Sequence, residues 1–362
     1  MRLTVEGCRA RQQRLIEVLN ENGLDGAIIS RREHVYYFTG WLHKRHHAAA
    51  AMVRADGEVT LVAADADAEV AADKIVPYET GYLSTMHNRQ YEMVAEKLAP
   101  CIPEVSSWGV DMGGGVGCIV ALAGSDARDI TPFILRLRKN KHDDEVEAIR
   151  GAIDITEAIY DAAKEAVRPG ADEIEVFGYL RQEATKRAGE DLEHFGTDYR
   201  ANDRSGAARR RTMQAGELYI LDAGPSLHGY HADNCRTFAV DRQPSKVQLK
   251  AWETIDGLLP ELETVVRPGT KASELFRIAD ETFKQAGYQG MVHHLGHGIG
   301  LLPHEPPELN PNYDAVFEVG DVFTMEPGIY AEEMKAGIRL EENYHLTDQG
   351  LERLTSYSRQ LS

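Results

Sequence analysis

Two stretches of this chain repeat one another at a fixed offset, and each leads to a carboxylate. RPGADEIEVFGYLRQEATKRAG (168–189) aligns with RPGTKASELFRIADETFKQAG (267–287), so that the Arg-Pro-Gly triplets, Glu175 with Glu274, and Phe177 with Phe276 fall into register. Each copy reads as a Pro-Gly turn followed by an amphipathic helix. After a polar stretch each is followed by a short apolar run, 218–221 and 322–325, and the next residue is acidic, Asp222 and Glu326. A helix-then-strand unit used twice suggests a pseudo-twofold architecture, with convergent helix-start grammar as the plain alternative.

A carboxylate that ends a buried strand is costly unless it is paired or bound to a cation. Three further residues are placed in the same way. Asp233 lies just before the strand-like run CRTFAV (235–240). His297 sits in GHGIG (296–300), where glycines let backbones approach closely. Glu341 ends GIRLE (337–341). Each has a bland explanation alone: turn chemistry for Asp222 before Ala-Gly, a bend for Glu326 before Pro-Gly. As a set, four carboxylates and one imidazole form an oxygen-rich shell. That shell suits two divalent ions such as Mn²⁺, Co²⁺, Fe²⁺ or Zn²⁺, rather than a structural zinc.

The first third is α/β in character. Residues 7–22 carry a helical pattern stopped at Gly23. Residues 27–30 and 36–39 read as short strands, and Asp56-Gly57 marks a hairpin between 49–53 and 58–63. His43, His46 and His47 read as a solvated basic loop, with a lid or subunit contact as the alternative. The charged run RLRKNKHDD (136–144) marks a boundary, giving domains of 1–135 and 136–362. A long amphipathic helix is expected from Asp143 to about Val167, stopped by Pro169-Gly170.

The 362 residues include 58 acidic and 40 basic ones, a net charge of −18. Phosphate backbones and anionic lipid surfaces repel such a chain, so neither nucleic acid nor a membrane is expected as a partner. Cys8, Cys101, Cys118 and Cys235 form no CxxC pair, which fits a reducing, cytoplasmic setting. The charged, periodic N-terminus lacks the apolar core of a signal peptide, and no apolar run reaches the length of a membrane span.

LDAG (221–224), GYHADNCRTF (229–238), HHLGHGIGLLPHE (293–305), MEPGIY (325–330) and GIRLEENYHLT (337–347) resemble, in order, the motifs of the pita-bread metallopeptidases. That superfamily holds methionine aminopeptidase, aminopeptidase P, prolidase and creatinase. LRLRKNKHDDEVEAIR (135–150) is similar to the entry of its catalytic domain, and YYFTGW (36–41) to the creatinase-like N-terminal domain. The resemblance therefore implies an α+β fold, with an α/β N-terminal domain followed by a pita-bread domain, and favours the prolidase and aminopeptidase P branch.

It implies a dinuclear hydrolase acting on Xaa-Pro dipeptides or N-termini through a metal-bridging hydroxide, with Mn²⁺ or Co²⁺ preferred and Zn²⁺ or Fe²⁺ as alternatives. Carried over by motif, Asp222 chelates one ion, Asp233 and Glu341 bridge both, and His297 and Glu326 complete the second. Glu326 also moves protons. His293 and His304 bind the substrate carbonyl or carboxylate and stabilise the tetrahedral intermediate. Arg339 fixes Asp222 or a bridging carboxylate, Tyr230 supports the same carboxylates, and His294 is a surface or packing residue. A homodimer is implied by the N-terminal domain.

One departure stands out. The peptidases carry a further histidine upstream of the first aspartate, whereas GTDYRANDRSGAARRRTMQAGE (196–217) has none. Its position falls near Arg204 or Ser205, and His194 lies upstream, across an expected turn. Arg204, Arg209, Arg210 and Arg211 read either as a solvated loop or as a preference for an anionic substrate. The gap keeps open a non-peptidase hydrolase or lyase of a small metabolite on the same scaffold. A catalytically silent binding protein is the third reading, which five retained ligands disfavour.

Overall fold

The computed structural model describes residues 2–42, 47–64, 69–103 and 107–361. His43 and His46 lie outside the described residues. The chain divides into two compact units, Met1–Arg138 with His142–Asp144, and Lys139–Lys141 with Glu145–Ser362.

The first unit is built on a six-stranded mixed sheet. Its order is Lys74–Pro77, Val59–Ala63, Ala50–Arg54, Gly26–Ile29, Trp108–Val110, Arg128–Asp129. The hairpin signalled by Asp56-Gly57 is present, with Ala50–Arg54 antiparallel to Val59–Ala63. Ile28, Met52, Val62, Trp108 and Val110 pack on one core with Val94 and Leu98 of the helix Gln90–Leu98. The helix Val5–Glu21 begins at Thr4, whose hydroxyl accepts from the Gly7 amide at 3.0 Å.

Residues 36–39 are a correction. They form the second half of a helix, Arg32–Thr39, closed by Gly40 in the left-handed conformation. The run Tyr36, Tyr37, Phe38, Thr39 has the composition of a strand. Every residue from His34 to Thr39 is buried, so packing on all sides outweighs the β preference of the aromatic residues.

The second unit carries two antiparallel sheets. In one, Leu218–Leu227 pairs with Phe195–Ala201, Asn234–Ala239 and Tyr230–His231. The other runs Glu305–Leu309, Gly296–Gly298, Val322–Met325, Glu342–Thr347, Gly350–Arg353. A ribbon joins Gly328–Ala331 to Ala336–Arg339. The helix Asp143–Ala166 matches the expected span.

The sequence repeat is reproduced in the backbone hydrogen bonds. Gly170 N donates to Met213 O at 3.0 Å, and Gly269 N to Phe317 O at 2.8 Å. Met213 N donates to Ala171 O, and Phe317 N to Thr270 O, both at 2.9 Å. Glu173 N donates to Arg211 O at 3.0 Å, and Ala272 N to Ala315 O at 2.9 Å. Both Arg-Pro-Gly turns thus pair with the segment that leads to a carboxylate-bearing strand, and each opens a helix, Glu173–Ala188 or Ala272–Gln285. This is the pseudo-twofold expected from the repeat.

The helix Lys246–Val265 starts with a capping box between Ser245 and Gln248. With Ala272–Gln285 it covers the second sheet, burying Leu258, Leu259, Leu262 and Phe283 against Phe323, Met325 and Tyr344. Each such side chain contributes roughly 1.5–3 kcal/mol by leaving water. The sheet is thereby stiff enough to hold charged groups on its opposite side.

Candidate metal centre and active site

Asp222 lies within its strand rather than at the end of it, because Leu218–Leu227 continues for five residues further. The pairing with Phe195–Ala201 shifts register between Asp222 and Ala223. Such a bulge re-aims a side chain. Asp233 falls in the gap between Tyr230–His231 and Asn234–Ala239, and Glu341 between Ala336–Arg339 and Glu342–Thr347. Glu326 follows Val322–Met325, and His297 is central in Gly296–Gly298. The glycines there are obligatory. A Cβ on Gly296 would lie 2.0 Å from Thr324 O, and one on Gly298 2.1 Å from Pro306 O.

These five side chains line one cavity of about 380 Å³. Donor atoms of Asp233, His297 and Glu341 all lie within 4.8 Å of one another. His297 Nδ1 is 3.1 Å from Gly298 O, which leaves Nε2 facing Asp233 Oδ2 at 3.7 Å and Glu326 Oε1 at 3.5 Å. Both carboxylate oxygens of Glu341 are buried without a hydrogen-bond partner. An ionised carboxylate in that position needs a cation.

The titration of the cluster carries the same message. Burial raises the Asp222, Asp233 and Glu341 carboxyls, and neighbouring carboxylates add to the effect. Asp233 and Glu341 stand well above the ordinary range. Burial also raises Glu326, but the hydrogen bond from His294, with the charges of His294 and Arg339, outweighs it and holds it down at about 2. Burial lowers His297 to about 4, so its imidazole is neutral and free to donate a lone pair. Crowded acids, orphan oxygens and a neutral histidine fit a divalent-metal site held by Asp222, Asp233, His297, Glu326 and Glu341.

The ligand backbone is pinned by buried polar groups. Arg236 Nη1 donates to Glu341 O at 2.7 Å, and Arg236 Nη2 donates to both oxygens of Glu342 at 3.0 Å. Asn234 Nδ2 donates to Glu341 O at 2.5 Å, and Asn343 Nδ2 to Asp233 O. Arg339 Nη2 donates to Asp222 Oδ2 at 2.5 Å and to Asp198. Lys141 Nζ lies 2.6 Å from Glu305 Oε1, behind His304 in sequence.

The remaining sequence candidates divide. His293 Nε2 is 3.0 Å from the Tyr330 hydroxyl, which accepts from Arg339 Nη1 at 3.1 Å. His304 stacks on His297 with ring centroids 3.6 Å apart. His293 and His304 both line the cavity. Tyr230 does not; its hydroxyl donates to Glu145 Oε1 at 2.9 Å, on the helix Asp143–Ala166. His294, expected as a surface or packing residue, lines the cavity with Nε2 2.8 Å from Glu326 Oε1. His194, expected beyond a turn, lines it too, because Phe195–Ala201 runs antiparallel to Leu218–Leu227 and brings its start beside Gly224; His194 Nδ1 is 2.6 Å from Gly224 O.

Sequence reasoning assigns no role to Asp198, or to Tyr330 although it closes the motif MEPGIY (325–330). Asp198 sits in GTDYR, which has turn-like composition, and Tyr330 reads as one aromatic of a strand. Register supplies the missing signal, since Asp198 is the cross-strand partner of Asp222.

A two-sheet α+β unit with buried carboxylates and a neutral histidine converging in one cavity defines a metal-dependent hydrolase. Residues 147–348 match metallopeptidase family M24, and residues 11–139 match the creatinase/prolidase N-terminal domain. This chain belongs to metallopeptidase family M24. It is 28% identical over 366 residues to an Xaa-Pro dipeptidase of Pyrococcus furiosus, covering 98% of this chain and 99% of that protein. The solved prolidase from Pyrococcus furiosus superposes with a TM-score of 0.79 at 25% identity, covering 95% of this chain and 100% of that one. An Xaa-Pro dipeptidase from Bacillus anthracis shares the fold, with a TM-score of 0.81 at 22% identity over 98% of this chain and 99% of that one.

Proposed function

We propose that this chain is an Xaa-Pro exopeptidase that works with two divalent ions, Mn²⁺ or Co²⁺, held by Asp222, Asp233, His297, Glu326 and Glu341. The observation that carries this reading is the pair of orphaned Glu341 oxygens facing Asp233 and His297 in a single cavity. Similarity along nearly the whole chain to an Xaa-Pro dipeptidase supports the substrate class.

When bound, the ions supply Lewis acidity, acidifying water and polarising a carbonyl. The protein's own groups do the rest. Glu326, ionised beside His294, would accept the proton that the attacking water gives up and pass it to the leaving nitrogen. Burial lowers His304, so it is neutral near pH 7 and able to donate a hydrogen bond to the substrate carbonyl oxygen. His293, likewise lowered by burial, donates from Nδ1 to His294 O at 2.7 Å and presents Nε2 as an acceptor to the Tyr330 hydroxyl. Tyr330 bridges His293 and Arg339 and orients the first of these rings.

The reading extends to a homodimer in the cytoplasm. Four free thiols and no disulfide among the described residues support a reducing setting, and no helix there is long and apolar enough to cross a membrane. Exposed Tyr82, Leu83 and Met86 on one hairpin support a subunit contact. A monomeric mass in solution would remove the dimer.

The test is turnover of Mn²⁺- or Co²⁺-loaded protein on Xaa-Pro dipeptides and Xaa-Pro-Yaa tripeptides, with a chelated control. Chelator-sensitive cleavage supports the reading. Failure by protein shown to hold metal transfers it to a small-metabolite hydrolase or lyase, the alternative that the histidine-free segment 196–217 favours.

A further inference from the structure

We infer that Arg204 reads a carboxylate on the substrate and sets the enzyme's preference for acidic over neutral ligands. The inference rests on the metallopeptidase reading above and adds the residue that recognises the part of the substrate away from the scissile bond.

The arginine-rich segment sorts itself by partner. Arg209 is 2.9 Å from Glu173 Oε1 and 3.1 Å from Asp203. Arg211 is 2.5 Å from Glu217 Oε1, and Arg200 is 3.2 Å from Asp203 Oδ2. These three guanidiniums are neutralised within the protein. Arg210 and Arg204 differ: among the described residues their side chains have no ion pair or hydrogen bond, and of the two Arg204 lines the same cavity as the metal-ligand set.

The loop that presents it is fixed rather than loose. Gly206 N donates to Asp198 Oδ1 at 2.6 Å, and Tyr199 N to Gly206 O at 2.9 Å. Asn202 and Gly206 adopt positive φ, 54° and 119°, which turns the chain back on itself. Asp198 is also a partner of Arg339. The tip bearing Arg204 and Ser205 is therefore tethered to the group that holds Asp222.

Charge then decides what Arg204 is for. The cavity lining includes Asp198, Asp222, Asp233, Glu326 and Glu341 against one buried cation, Arg339. Arg339 Nη2 donates to Asp222 Oδ2 at 2.5 Å and to Asp198, and His294 Nε2 stands 2.8 Å from Glu326 Oε1, so these cationic groups of the lining are already placed against carboxylates. Arg204 is the guanidinium of the lining that has no carboxylate partner among the described residues. A guanidinium fork matches a carboxylate in charge and geometry. The carboxylate has two possible sources, the C-terminus of a dipeptide or an acidic side chain.

The experiment measures kcat and KM of Mn²⁺-loaded wild type, Arg204→Ala and Arg204→Lys on Ala-Pro, Ala-Pro-amide and Asp-Pro-amide. Calorimetry with N-acetylproline and its amide runs alongside. Wild type is expected to favour Ala-Pro over its amide by about ten-fold, mainly in KM, as suits a partly solvated ion pair. Arg204→Ala should erase that ratio and Arg204→Lys restore part of it. A preference that instead follows Asp-Pro-amide over Ala-Pro-amide, and is lost in Arg204→Ala, supports the inference with the side chain as source. Unchanged ratios in Arg204→Ala overturn it while leaving the peptidase reading intact. Should wild type cleave none of these peptides, the peptidase reading fails; Arg204 is then judged by calorimetry alone, where equal binding of acid and amide, or binding unaffected by Arg204→Ala, overturns the inference. Equal melting temperatures for the three proteins establish that each is folded.

Discussion

Arg339 Nη2 donates to Asp222 Oδ2 at 2.5 Å and to Asp198, so one buried cation holds two carboxylates from neighbouring strands. Arg339→Met removes this restraint and leaves both acids without their counter-charge. Groups that orient metal ligands typically affect affinity by about 10–100-fold. Metal titration of the variant is therefore expected to show Mn²⁺ binding weakened by about that factor. Wild-type affinity in Arg339→Met would show that Asp222 needs no such partner.

Glu341 offers a prediction of opposite signs. Without a cation its carboxyl is raised well above the usual range by burial and by Asp233, so ionising it works against folding. Glu341→Gln should leave the metal-free protein at least as stable as wild type near pH 7. It should also abolish most of the stabilisation by Mn²⁺, about 2.7 kcal/mol at a hundredfold excess over Kd. Thermal melts with and without Mn²⁺ measure both arms. An undiminished metal-induced rise in Tm would remove Glu341 from the ligand set.

Lys141 and Glu305 form an ion pair at 2.6 Å, with side chains 0% and 2% exposed. Breaking a buried pair from one side strands a charge and costs about 3–5 kcal/mol. Lys141→Met should lower urea stability by that order, whereas Lys141→Met with Glu305→Leu should recover most of it. If the double variant is no better than the single one, the pair contributes through something other than charge.

Asp144 ties stability to acid. Burial raises its carboxyl, but the Arg11 guanidinium, 2.8 Å away, and hydrogen bonds from Thr4 outweigh this and hold it below its ordinary value. A carboxyl lowered on folding contributes stability above its unfolded pKa and loses it as pH falls through the folded one. Urea denaturation of wild type and Asp144→Asn should therefore differ most near pH 7 and converge as the pH falls below the ordinary aspartate range. A gap that stays constant with pH would exclude a protonation effect.

His294 stands against Glu326 at 2.8 Å and His293 against Tyr330 at 3.0 Å. His294→Ala takes away the partner that keeps Glu326 ionised and should reduce kcat by about 10²-fold, the scale of general acid–base assistance. Tyr330→Phe removes only an orienting hydroxyl and should cost less. Steady-state kinetics on a cleaved Xaa-Pro peptide separate the two, and the reverse order would assign the larger role to the His293 side.

Much of this protein can be read before it is folded. The Arg-Pro-Gly repeat, the Asp56-Gly57 hairpin and the helix from Asp143 are local signals, set by backbone preference and hydrophobic period over a few residues. The residue types needed for a metal shell are likewise visible, because an acid beside an apolar run is costly unless something answers it. The rest depended on register and packing. Residues 36–39 became helix through burial on every side, and Asp222 was re-aimed by a bulge inside its strand. Asp198, His194 and Arg204 entered the cavity because the strand Phe195–Ala201 lies antiparallel beside Leu218–Leu227, and Tyr230 was drawn away to Glu145. Sequence by itself determined the chemistry available to the site. Tertiary structure alone decided which of those groups face one another, because that depends on pairings between residues remote in the chain.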